Sequence, residues 1–260
     1  MKNGAASTQS STDALSRKNP SLYPGTELEA MTGAPNYHSW IFDIFKPYLG
    51  AHMVEVGAGV GSFTELILTH HACKTLSLVE PSDSMYERLR VHLRQRQLES
   101  GIIVDMYHST FVEAAGLIKA EQAPDSIIYV NVLEHIADDE GELETVRRTL
   151  SESGRVFIFV PALKWLFSPF DERVGHVRRY SKSELEQKLR RAGFKILSSA
   201  YFDFPGIFPW WLNYCVLRSV TMDPGAVSFY DQFVIPVVRR IESVIAMPIG
   251  KNIIAIAEKR

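Results

Sequence analysis

The short apolar run Met53-Val-Glu-Val56 breaks into three glycines at alternate positions, Gly57, Gly59 and Gly61. The run reads as a buried strand, and Ser62 opens a helical pattern with Glu65 three residues on, the spacing of a capping box. A glycine turn between strand and helix lets backbone approach a ligand that side chains would block. About twenty residues later, Leu78-Val-Glu-Pro81 closes the next apolar run. Glu80 there stands where a nucleoside ribose finds a carboxylate for its hydroxyls. Together these residues predict a strand–turn–helix–strand unit that holds a nucleoside-containing cofactor; the plain alternative is a tight turn with no ligand.

Glu55 selects among such cofactors. A carboxylate two residues before the first glycine would repel a pyrophosphate. S-adenosylmethionine has no phosphate and carries an ammonium and a sulfonium, which the same carboxylate would attract. The spacing, Gly-x-Gly-x-Gly, also differs from the Gly-x-Gly-x-x-Gly of dinucleotide sites. An NAD-dependent oxidoreductase is therefore disfavoured.

With 260 residues, the chain can form one large α/β domain with a well-buried core. A formal net charge of −2 gives no electrostatic case for a nucleic-acid partner. Cys73 and Cys215 form no C-x-x-C pair and no metal spacing, so a reduced, cytoplasmic setting is expected. Residues 1–30 are expected to be a disordered or lid-forming tail without the apolar core of a signal peptide.

Strands are predicted at 52–56, 75–80, 102–107, 126–132, 155–160, 195–202 and 252–258, several of them continuous apolar runs suited to burial on both faces. Amphipathic segments alternate with them: Asp138 to Leu150, and Ser181 to Ala192 with a second capping box at Ser181 and Glu184. The alternation implies a doubly wound, mainly parallel seven-stranded sheet within a single domain over 31–260. Residues 201–249 break the pattern with an aromatic- and proline-rich helical insertion before the last strand. It could add to the core, form a homodimer interface, wall an apolar substrate or touch a membrane surface; its apolar stretch from Phe204 to Leu217 is too short and interrupted to span a bilayer. An interaction module that performs no catalysis and binds through this insertion is the alternative from another class.

With these features in place, the chain from about Tyr37 to Arg260 resembles the class I S-adenosylmethionine-dependent methyltransferases. The resemblance is carried by Val54-Glu-Val-Gly-Ala-Gly-Val-Gly61, by Val130-Asn-Val-Leu-Glu-His-Ile136 and by Gly154-Arg-Val-Phe-Ile-Phe-Val-Pro161. Phe170-Asp-Glu-Arg-Val-Gly-His-Val-Arg-Arg-Tyr180 is similar to a segment of bacterial small-molecule methyltransferases. The resemblance implies a Rossmann-like methyltransferase fold and S-adenosyl-L-methionine as cofactor. It implies that Glu55 and the loop Gly57, Ala58, Gly59 and Gly61 hold the methionine end, and that Glu80 with Pro81 takes the ribose. Ser82 and Met85 would line the adenine, with Thr110 and Phe111 on its other side. There the loop reads His108-Ser-Thr-Phe111, where the family commonly has an acidic residue. Asn131 and Leu133 would face the sulfonium.

Methyl transfer requires alignment of the acceptor and, for an oxygen acceptor, a base. His176 and His135, both in loops after strands, are the candidate catalytic groups, with loop orientation or helix capping as the alternative for His135. Arg178 and Arg179 could grip an acidic substrate group or make structural ion pairs. Tyr37 and Trp210 are further substrate-side candidates, and the segment around Tyr37, His38 and Trp40 could close as a lid or pack on the sheet. No His, Cys or carboxylate cluster has metal-ligand spacing along the chain, so a metal-independent reaction is expected. The expected activity is methylation of a small, partly apolar acceptor, foremost at oxygen.

Overall fold

The computed structural model describes residues 34–71 and 73–260. The tail expected over 1–30 lies outside the described residues. The chain opens with α1 (Pro35–Phe45), β1 (His52–Val56), α2 (Ser62–His70), β2 (Thr75–Val79), α3 (Asp83–Ser100), β3 (Ile103–Tyr107), α4 (Phe111–Glu121) and β4 (Ser126–Val130). It continues with α5 (Asp139–Thr149), β5 (Arg155–Pro161), α6 (Pro169–Arg173), α7 (Lys182–Arg191), β6 (Phe194–Phe202), α8 (Ile207–Trp210), α9 (Pro224–Phe229), α10 (Ile235–Glu242) and β7 (Asn252–Lys259). Every strand expected from the apolar runs is present, with ends that shift by two residues or fewer.

The strands form one sheet in the order β3-β2-β1-β4-β5-β7-β6. β1 to β5 are parallel, and β7 runs antiparallel between β5 and β6. Side chains alternate across a strand, so each strand feeds two cores. Met53, Ile128, Phe157 and Phe159 pack with Ile41, Phe42 and Phe45 of α1 and Ile67 of α2. Val54, Ile127, Tyr129, Val156 and Ile158 pack with Ala114, Leu143, Val146 and Leu185 of α4, α5 and α7. Helices cover both faces, as the unbroken apolar runs require. The sheet reverses its winding between β1 and β4, and the crevice at their carboxyl ends is where such a sheet takes ligands.

Two local expectations change. Helix α2 is not opened by a Ser62–Glu65 box: Gly61 is its N-cap, in the left-handed region at φ 90°, and Ser62 is already helical. A Cβ at Gly61 would meet Leu89 Cδ1 at 2.9 Å, so this glycine answers to α3 packing. The Ser181–Glu184 box forms as expected at α7. The Tyr37–Trp40 segment is not a lid. It belongs to α1, whose Tyr37, Trp40, Ile41, Phe42 and Phe45 are buried, and the Trp40 ring lies 3.7 Å from that of Phe202.

The insertion after β6 is held by buried carboxylates. Asp203 accepts from Tyr230 Oη at 2.6 Å and Gly206 N at 3.1 Å, and pairs with Lys251 Nζ at 3.0 Å. Asp231 accepts from the backbone N–H groups of Asn36 (3.1 Å) and Tyr37 (2.8 Å), closing the open N-terminus of α1 from 194 residues away. Ile235 and Val238 of α10 join the core beneath the sheet. Phe208, Leu217, Phe229, Phe233 and Val244 face outward and are exposed. Among the described residues no helix is long and apolar enough to cross a membrane.

Candidate functional site

A cavity of about 1580 Å3 opens at the carboxyl ends of the strands. This exceeds the ~300–1,000 Å3 of a pocket for one small ligand, leaving room for two. The half beside β1 and β2 is built mainly of backbone. Gly57 and Gly59 have φ of 68° and 58°. The N–H groups of Gly57 and Ala58 donate to Val79 O at 2.8 and 3.2 Å, which clips the turn onto the end of β2. A Cβ at Gly57 would stand 2.5 Å from Val132 Cγ2, so the turn cannot carry a side chain there. Glu80 ties the two loops together: Oε2 accepts from Gly59 N at 2.8 Å and Oε1 from Ser82 N at 2.9 Å. Glu55, on the α2 side of β1, is buried and accepts from Thr64 Oγ1 at 2.6 Å. Burial raises its pKa to about 8, the Thr64 hydrogen bond opposing and Glu80 adding. A buried carboxylate with one neutral partner is poised to take a cation.

Pro81, Ser82, Met85, Thr110, Phe111 and Asn131 also line the cavity, as expected for one continuous cleft. Thr110 has a structural duty besides: Glu113 accepts from its N–H and Oγ1 at 2.9 and 2.8 Å and starts α4. Asn131 ends β4 in the left-handed region at φ 54°, a conformation that asparagine tolerates better than most. Two residues expected on the cofactor side are absent from the wall. Leu133 is fully buried in the core on the opposite face, and Val132 lines the cavity instead. Gly61 sits behind the turn against α3.

The other half is aromatic and polar. Arg179 lies 4.5 Å over the Trp210 ring, and Trp210 meets Phe170 edge-on at 5.4 Å and Tyr214 at a tilt at 4.5 Å. Tyr37 Oη donates to Asn252 Oδ1 at 3.0 Å. Tyr230, Asp231 and Lys251 complete this side. Tyr214 and Tyr230 each lie on a π-helical stretch (Trp211–Val216 and Tyr230–Val234), a distortion often found where a helix serves a site.

Four titratable groups meet at this wall, His135 and His176 lining the cavity and the buried Asp171 and Glu134 behind them. His176 Nδ1 is 2.8 Å from Asp171 Oδ1, and Nε2 is 3.8 Å from Glu134 Oε1. The His135 ring lies edge-on to His176 at 4.7 Å, its Nδ1 3.2 Å from Gly175 O. Burial pushes Asp171 up, but the His176 hydrogen bond and the Arg179 guanidinium bring it below the usual range. Burial raises Glu134 to about 7 against the pull of His176 and Arg179. Desolvation, then His176, lowers His135 to about 3. Burial thus favours the neutral imidazole at His135.

The arginines divide in a way their adjacency did not reveal. Arg178 Nη1 pairs with Asp139 at 2.6 Å and Nη2 donates to Ala137 O, so it is structural and stands outside the cavity wall. Arg179 lines the cavity yet is held by Asp171 through Nε at 3.0 Å and Nη2 at 2.9 Å. The sequence reading missed Asp171 and Glu134 as site residues. Glu134 carries a weak signal, a carboxylate beside a histidine at the end of a strand; its nearness to His176, 42 positions on, has none.

A family model described as a methyltransferase domain matches residues 39–199. Curated proteins give no match. Solved structures give many. A SAM-dependent methyltransferase from Thermotoga maritima, described as a possible histamine N-methyltransferase, is 17% identical over 90% of this chain and 94% of its own, with a TM-score of 0.55. An S-adenosylmethionine-dependent methyltransferase from Clostridium acetobutylicum is 10% identical over 87% and 92%, with a TM-score of 0.54. A cyclopropane synthase from Mycobacterium tuberculosis is 10% identical over 84% and 82%, with a TM-score of 0.56. At these identities the likeness is one of fold. With more than half of the chain matched by the family model, and a glycine cradle and cation-seeking carboxylate that fit its cofactor, the chain belongs to the class I S-adenosylmethionine-dependent methyltransferases.

Proposed function

We propose that this methyltransferase acts on a hydroxyl oxygen of a small, partly apolar acceptor held in the aromatic half of the cavity. The observation that carries this reading is the Asp171–His176 pair, on the wall of a cavity too large for one ligand and next to Trp210 and Tyr214. Glu55 and the Gly57–Gly59 backbone hold the methionine end of the cofactor, Glu80 the ribose, and Met85 and Phe111 flank the adenine. Bound there, the cofactor supplies an activated sulfonium methyl. The protein's task is to orient the acceptor, exclude water and take a proton. Asp171 accepts the Nδ1–H of His176 and fixes the tautomer. His176 Nε2 then takes the hydroxyl proton, and Asp171 and Glu134 stabilise the resulting imidazolium. The insertion over 201–249, part of a single domain from 31 to 260, serves as the acceptor's apolar wall.

The test is calorimetric titration with S-adenosylhomocysteine and, in parallel, NADH, followed by a methyl-transfer screen of phenols, hydroxy acids and apolar alcohols. Binding of the first and methylation at oxygen are expected. Transfer to amines alone would refute the oxygen assignment.

A further inference from the structure

We infer that Glu134, His135 and His176 form a binding site for one divalent transition-metal ion, with zinc(II) the best-matched occupant, on the acceptor side of the cavity. One ligand atom from each residue lies within 4.8 Å of the others. Glu134 is fully buried, and neither of its carboxylate oxygens has a hydrogen-bond partner. In both imidazoles Nδ1 faces an oxygen that can only accept, Asp171 Oδ1 or Gly175 O, so Nδ1 carries a hydrogen and Nε2 is the atom each ring can offer to an ion. His176 Nε2 faces another acceptor, Glu134 Oε1, across 3.8 Å. That gap is too wide for a hydrogen bond, and ligand atoms at a tetrahedral centre with bonds of about 2.0–2.1 Å stand about 3.3 Å apart, so a small closure of the pair would seat an ion.

The cluster sets two carboxylates, Glu134 and Asp171, beside one guanidinium, Arg179. Its surroundings match a built metal centre: each histidine is oriented through Nδ1 by an oxygen behind it, as metal-ligating histidines almost always are. His135 and His176 line the cavity, which provides entry from one side and leaves coordination positions open toward the acceptor. Two nitrogens and one carboxylate with open positions suit zinc or a neighbouring first-row ion. The fold thus assembles the cluster that spacing along the chain does not show.

The chemical role rests on the oxygen-acceptor reading above. An acceptor hydroxyl at an open position would have its O–H made more acidic by the ion and would give its proton to water in the cavity, so His176 would act as a ligand rather than as the proton acceptor. Binding itself does not depend on that reading.

The experiment uses the full chain, dialysed against a chelator and titrated with Co2+, whose visible d–d bands report nitrogen and oxygen ligation, with Zn2+ competition. S-adenosylhomocysteine affinity, read by calorimetry, controls for folding. The expectation is one equivalent of Co2+, displaced by Zn2+, with affinity reduced at least ~10-fold in Glu134→Gln and His176→Ala and also in Asp171→Asn, while S-adenosylhomocysteine affinity holds. A cofactor-binding wild type that takes up no stoichiometric Co2+ overturns the site, as does uptake unchanged in Glu134→Gln and His176→Ala. Stoichiometric Co2+ at these residues in a protein that methylates no oxygen acceptor supports the site and overturns only the acceptor reading. Full turnover on a phenol after chelation overturns the catalytic role.

Discussion

The two halves of the cavity are built on different principles. The cofactor half uses backbone: glycines at positive φ, N–H groups clipped to the end of β2, and Glu80 bonded to two loop amides. Its parts come from one short stretch, residues 55–85, plus the ends of β3 and β4. The acceptor half uses side chains drawn from α1, the loop after β4, the segment 170–179 and the insertion. Backbone recognition suits a ligand shared by a whole family, whereas side chains can be exchanged to suit an individual acceptor. Replacements in the first half should therefore act on cofactor affinity and those in the second on turnover.

The largest effect should come from the acceptor half. His176→Ala is expected to lower kcat by about 10²–10⁴-fold while the affinity for S-adenosylhomocysteine stays level. A parallel loss of cofactor affinity would break the division. Next, Glu80→Ala should weaken S-adenosylhomocysteine binding by about 1–3 kcal/mol, because the carboxylate holds the two loops and, on the proposed reading, takes the ribose hydroxyls. Calorimetry checks this, and unchanged affinity would remove Glu80 from the ribose site.

Glu55 offers a pH test. Its folded pKa of about 8 lies above its ordinary 4.5, so the native state binds more protons between those values. The stability tied to it is full below about pH 4.5 and is lost as pH rises through 8. In thermal melts of the cofactor-free protein, Glu55→Gln should flatten the decline over that window. Binding of a cationic ligand should release a proton there, read as a buffer-dependent binding enthalpy that the variant lacks. The smallest effect is expected at Arg178. Arg178→Ala should leave kcat unaltered and cost roughly 1 kcal/mol of stability in denaturant titration, since Asp139 keeps Lys188 and Tyr180.

The same division explains what could be read in the chain. The inner strands β1, β2, β4, β5 and β7 announce themselves as apolar runs because they are covered on both faces, and the glycine turn because its chemistry is local. Leu133 was misplaced because alternation along a strand stops at its end: the chain turns at Asn131, and Val132 rather than Leu133 takes the cavity side. The Asp171–His176–Glu134 cluster and the Asp231 cap on α1 join residues whose pairing leaves no periodic trace. Arg178 and Arg179 are alike in sequence and are separated only by which buried carboxylate each can reach.

The antiparallel β7 has a consequence for the order of assembly. β6 is hydrogen-bonded to β7 alone, and β7 lies between β5 and β6. The insertion hangs between these two strands, so its chain path closes only when residues 252–259 have slotted in. The parallel strands β1 to β5 need no such late arrival, and their pairings with one another are complete without it. Pulsed hydrogen exchange during refolding should protect 53–56 and 126–130 before 194–202. The glycine turn and the loops clipped to it can thus be in place before the insertion closes over the other half of the cavity.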